Sequence, residues 1–123
     1  MRPSIVYNWP LGRGVVVMVV KIRDGGTDYQ LEVHLNGAGD LVLQASDMGA
    51  TARQMFGASE YEYWYFVRAP EVGRVCLELG VGDGELLQTI RDRLAPQGID
   101  ASRVWKEWLL ERSIPYEFKT WRS

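Results

Sequence analysis

The chain has 123 residues, of which 46% are hydrophobic, the size of one domain with enough apolar side chains for a continuous core. A formal charge of -2 excludes a global field that would recruit nucleic acid or an anionic membrane. One cysteine and one histidine exclude an internal disulfide and a Cys/His zinc site.

The expectation is therefore a single soluble domain over residues 1–123, located in the cytoplasm, with no metal and no cofactor. Val15 to Val20 is the only strongly apolar run and is far shorter than the roughly 20 residues that cross a bilayer. Arg13 directly before it, with Lys21 and Arg23 after it, does not match the layout of a secretory signal, so no targeting segment is expected.

In chain order, the β-branched run from Val15 to Arg23 predicts a strand, Asp24-Gly25-Gly26-Thr27 a tight turn, and Tyr29 to Leu35 the second arm of a hairpin. In that arm Tyr29, Leu31, Val33 and Leu35 share one side, which is assigned to the core. Gln30, Glu32 and His34 share the other, which is assigned to water or a partner. Asn36-Gly37-Ala38-Gly39-Asp40 turns the chain into a third strand over Leu41 to Ala45.

Ser46 to Phe56 has the marks of a short helix, with Ser46 or Asp47 as N-cap and Gly57 as its stop. Ser59 to Arg68 returns to a strand in which Tyr61, Tyr63, Tyr65 and Val67 alternate with Glu60, Glu62, Trp64 and Phe66. Pro70 fits the first turn of a helix whose apolar face is Val72, Val75, Cys76 and Leu79. Asp83 to Leu94 repeats the helical spacing with Leu86, Leu87, Ile90 and Leu94, and Pro96 with Gly98 closes it. A further helix, capped by Asp100 or Ser102, carries Val104, Trp105, Trp108 and Leu109. Ile114 to Trp121 alternates as a last strand, with Pro115 tolerated near its start. The sum is an α+β fold: an antiparallel or mixed sheet of about five strands with helices packed on one face.

Two stretches invite a functional reading. Leu77-Glu78-Leu79-Gly80-Val81-Gly82-Asp83-Gly84 resembles the glycine-rich first motif of class I S-adenosylmethionine methyltransferases. That resemblance implies a strand over Arg74 to Leu79, a cofactor against the Gly80–Gly84 loop and Asp100 near the ribose. No apolar strand follows, since only Gln97-Gly98-Ile99 lies between Pro96 and Asp100. The glycines are read in preference as the end of one helix at Gly80 and the start of the next near Asp83. His34 with Glu32 on one strand face has the elements of acid–base chemistry, but no nucleophile accompanies it, and Cys76 lies on an apolar helix stripe.

The second stretch is Tyr61-Glu62-Tyr63-Trp64-Tyr65-Phe66. With the tyrosines toward the helices, Glu60, Glu62 and Trp64 come out on the opposite face, joined by Glu117 and Trp121 from the last strand and by Glu32 and His34 from the hairpin. Such an acidic, aromatic face suits a protein partner with a basic surface and repels phosphates, which argues against nucleic acid. Glu60 to Tyr65, the helices that follow, and Ile114 to Trp121 together resemble small uncharacterised bacterial proteins of the toxin-immunity type. That resemblance implies a non-catalytic binder that occludes the active site of one cognate toxin. A homo-oligomer assembled through its sheet is the third expectation.

Overall fold

The computed structural model describes residues 16–24, 26–49 and 60–122. Strands β1 (Val16–Asp24), β2 (Thr27–Leu35), β3 (Leu41–Gly49), β4 (Glu60–Val67) and β5 (Glu117–Arg122) form one sheet in the order β1-β2-β3-β4-β5, each pair antiparallel. Between β4 and β5 come helix α1 (Ala69–Leu79), a 3-10 turn over Asp83–Glu85, α2 (Leu86–Leu94), a second 3-10 segment over Ala95–Asp100, and α3 (Ala101–Glu111). The fold class read from the sequence is the one observed, and the sheet is wholly antiparallel.

The meander follows from its turns. Asp24 lies opposite Thr27, so the first hairpin closes over two residues. In the second turn the Asn36 side-chain carbonyl accepts the backbone N–H groups of Ala38 and Asp40 at 3.0 and 2.9 Å, and Gly39 takes φ 85. An asparagine side chain standing in for a backbone acceptor is what lets so short a loop satisfy its own donors. A bulge between Met18 and Val20 shifts the β1 register, so that Val17, Val20 and Ile22 all lie opposite helix-facing residues of β2.

Val19, Val20, Tyr29, Leu31, Val33, Leu41, Leu43, Ala45, Tyr65 and Val67 form the sheet's contribution to the core. Val75, Cys76, Leu86, Ile90, Leu94, Trp105 and Leu109 pack on them from the helices at the predicted three- and four-residue spacings. Pro70 opens α1, and Gly80 ends it at φ 72 with Val81 donating back to the Cys76 carbonyl at 3.0 Å. α3 ends in the same way: Ser113 takes φ 55, the Ile114 N–H returns to the Leu109 carbonyl at 3.0 Å, and Ile114 is buried beneath the turn.

Several expectations are corrected. Ser46 and Asp47, read as helix caps, continue β3 and pair with Glu62 and Tyr61 on one side and Gln30 and Tyr29 on the other. Two long neighbouring strands outweigh the local capping preference of these polar residues; the rest of the expected helix, 50–56, lies outside the described residues. The last strand begins at Glu117 because Ile114 is spent closing α3. Neither Asp100 nor Ser102 caps α3 with its side chain; Ser102 turns toward the sheet instead. Arg74 to Leu79 is the second half of α1, so a helix stands where a methyltransferase-type loop requires a strand, and Gly80 is its C-cap.

Among the described residues no helix is long and apolar enough to cross a membrane.

Candidate functional site

The register carries the seven residues expected to meet a partner onto one face, the one away from the helices. Across the sheet, Glu32 aligns with Gln44, Trp64 and Lys119; Gln30 with Ser46, Glu62 and Trp121; His34 with Val42, Phe66 and Glu117. Glu60 follows on the same face of β4. The juxtaposition is as read, but the expected exposure is not. His34 and Glu62 are 0% exposed, and Trp64 is 7%. Glu32, Glu60 and Trp121 are half-buried, and Glu117 is exposed.

Val42, Trp64 and Phe66 sit among these polar groups on the face, and buried polar groups bond one another: Gln44 Nε2 donates to Glu62 Oε2 at 3.3 Å. Burial lowers the His34 imidazole from its ordinary 6.5 to about 4, so it is neutral at physiological pH.

This has a measurable consequence. Between those two values the unfolded chain holds a proton on His34 that the folded chain does not. Stability is therefore intact above pH 6.5, falls as pH drops, and reaches its full loss of about 3 kcal/mol below about pH 4. Urea unfolding of the wild type and His34→Gln at about pH 7.5 and pH 4.5 should show a larger acid loss in the wild type. Equal losses would mean that the imidazole is not held neutral.

Glu117 does not stand free. Arg68, at the junction of β4 and α1, grips its carboxylate with Nε and Nη2, both at 2.7 Å, and reaches Asp40 Oδ2 with Nη1 at 2.9 Å. The guanidinium also lies 4.9 Å from the Phe66 ring centre, with the Lys119 ammonium 5.4 Å from the same ring. The last strand is thus stapled to the middle of the fold.

What remains open is the other side of the same strands. α2 lies over β1 and β2, and the helix layer leaves the β4–β5 margin partly bare. There Tyr61, Tyr63, Tyr65 and Phe118 form the floor of a trough of about 200 Å³, with Ser102, Arg103 and Lys106 of α3 along its wall. Phe118 is 48% exposed, and its ring centre stands 5.0 Å from Tyr65 and 6.0 Å from Tyr63. Tyr63 and Ser102 hydroxyls share a hydrogen bond of 2.8 Å that fixes the floor to the wall. Burial, then the neighbouring Tyr63, pushes the Tyr65 phenol up to about 12, so it stays protonated. Arg103 is held by Glu107 at 3.1 Å and by Asp100 at 3.7 Å, whereas Lys106 makes no ion pair with a described residue.

Among the described residues β5 pairs only with β4 and forms a margin of the sheet, with residues 117–120 exposed. Every second residue of such a strand presents its N–H and C=O outward. Phe118, Lys106 and Arg103 were not among the residues singled out from sequence. Alternation does place Phe118 on the tyrosine side of the sheet; how far the helices extend across that side is invisible to any local pattern.

No family model, curated protein or solved structure matches the chain. The functional reading therefore rests on this geometry and on the resemblance drawn from the sequence.

Proposed function

We propose that the chain is a non-catalytic protein-binding module that receives an extended segment of its partner along β5, with side chains of that segment entering the trough beside it. The observation that carries this reading is the coincidence of an exposed strand, last in the order of the described sheet, with an exposed aromatic floor at Phe118. Backbone pairing supplies affinity, and the pockets for alternate side chains supply selectivity. The resemblance to immunity-type proteins suggests a partner, a bacterial toxin whose active site the bound module would cover.

Nucleic acid is a poorer fit to the same trough. A stacking platform for single strands needs several available cations, and of the two on this wall Arg103 is already neutralised by Asp100 and Glu107.

The test is capture of a stoichiometric partner from the native host by the tagged chain, repeated with Phe118→Arg as the β5 variant and with Glu60→Lys. Both substitutions fall on sites that are not fully buried, so melting should be unchanged within about 1 kcal/mol. The β5 variant should lose the partner at least tenfold, and the Glu60 variant should keep it. The reverse pattern would move the partner to the acidic face. Concentration-dependent light scattering abolished by the β5 variant would make the partner a second copy of the chain.

A further inference from the structure

A second concavity lies between the helices and shares no lining residue with the trough beside β5. It holds about 200 Å³ and is lined by Leu79, Ile90, Leu94, Val104, Trp105 and Trp108, with Arg93 and Gln97 at its polar border. We infer that this cleft binds a small organic acid of about ten non-hydrogen atoms in all, its carboxylate held by Arg93 and its apolar body within the cleft.

A concavity of about 200 Å³ with aliphatic and indole walls is large enough to take the apolar body of such an acid out of water. The walls are also rigid. Trp105 and Trp108 stack with ring centres 5.3 Å apart and planes within 7°, and the Arg112 guanidinium covers Trp108 at 4.4 Å. Arg112 is in turn tied to Glu78 of α1 at 3.3 Å and donates to the Trp108 carbonyl at 3.2 Å. The two indoles are therefore held by each other and Trp108 by Arg112 as well, which lowers the ordering cost of binding.

Charge then selects the ligand class. Arg93 is an exposed guanidinium that makes no ion pair with a described residue, unlike Arg68, Arg74, Arg91, Arg103 and Arg112. A planar fork at the border of an apolar cleft matches a carboxylate bidentately, and the Gln97 amide beside it adds a neutral donor. A phosphate would be recognised by the same fork, but its larger hydration cost is not offset by a single cation.

The probes are octanoate and its uncharged counterpart octanamide, titrated into the full chain while the Trp105 and Trp108 indole N–H resonances are followed. Octanoate should saturate with a Kd of about 0.1 mM, the amide about tenfold more weakly. Arg93→Gln should remove that tenfold preference and leave amide binding in place. Val104→Phe, at a half-buried position, should abolish both while raising the melting temperature by filling the cleft. No saturation by octanoate up to about 10 mM, or binding that survives Val104→Phe in a folded protein, would overturn the proposal. None of these outcomes depends on β5, so the site stands or falls apart from the protein-binding reading.

Discussion

Glu62→Lys is expected to prevent stable folding, whereas Glu60→Lys, two residues earlier on the same face of β4, leaves the melting temperature nearly unchanged. Glu62 is 0% exposed and accepts the Gln44 amide at 3.3 Å; Glu60 is half-buried. A lysine at the first position puts an ammonium beside an amide donor in a site already withdrawn from water, a cost of about 4 kcal/mol or more. That is a large share of the stability of a small domain, roughly 5–15 kcal/mol. Glu62→Gln, which keeps the shape and a hydrogen bond to Gln44, should cost only about 1–2 kcal/mol. Urea unfolding of the three variants decides the matter. Equal, small effects at both positions would mean that the polar face is open to solvent after all, and the acidic partner surface would return to consideration.

Asp40→Ala is expected to lower stability by about 3 kcal/mol, more than any other single change to the charged groups at the surface of the fold. Its side chain is 8% exposed and serves three elements at once. It accepts the Asn36 side chain of the β2–β3 turn at 3.0 Å, the Arg68 guanidinium at 2.9 Å and the first N–H of α1, that of Ala69, at 2.8 Å. The α1 N-cap residue is Arg68, which offers no side-chain acceptor, so a carboxylate from a distant turn performs the capping.

Burial raises the Asp40 pKa, but the hydrogen bonds from Asn36, Ala69 and Arg68 outweigh it and the net shift is downward. The stability it contributes is therefore present above the ordinary carboxylate range and is lost as pH falls through the lowered value. Asp40→Asn, retaining acceptors without charge, should recover about half of the loss in chemical denaturation. A full loss with asparagine would show that ion pairing to Arg68, rather than the cap, is what matters.

The contrast between these two sites shows which parts of the molecule local sequence carries. Strand alternation, turn residues and helix spacing were sufficient for four of the strands and for all three helices. Those signals are periodic and act within a few residues. β3 outran its expected end because Ser46 and Asp47 are satisfied by strands from both sides, a tertiary fact that their own preference for helix caps contradicts. The shared face of Glu32, His34, Glu62, Trp64 and Trp121 was legible from parity alone. That its middle, at His34, Glu62 and Trp64, is buried was not, because parity says which side a residue faces and nothing about what reaches that side. Asp40 illustrates the same limit: from sequence it is a turn residue, and its role as cap and ion-pair partner depends on residues 28 and 29 positions later. Phe118 and the β5 trough were missed because a bare sheet margin is defined by where the helices stop.

Hydrogen–deuterium exchange of the chain alone and with its captured partner tests whether the β5 edge and its aromatic trough form the partner surface. Slowed exchange is expected at amides of residues 117–122 and along the Arg103–Lys106 turn of α3, with the rest of the sheet unchanged. Protection confined to other elements, with β5 exchanging as it does in the free chain, would contradict that reading.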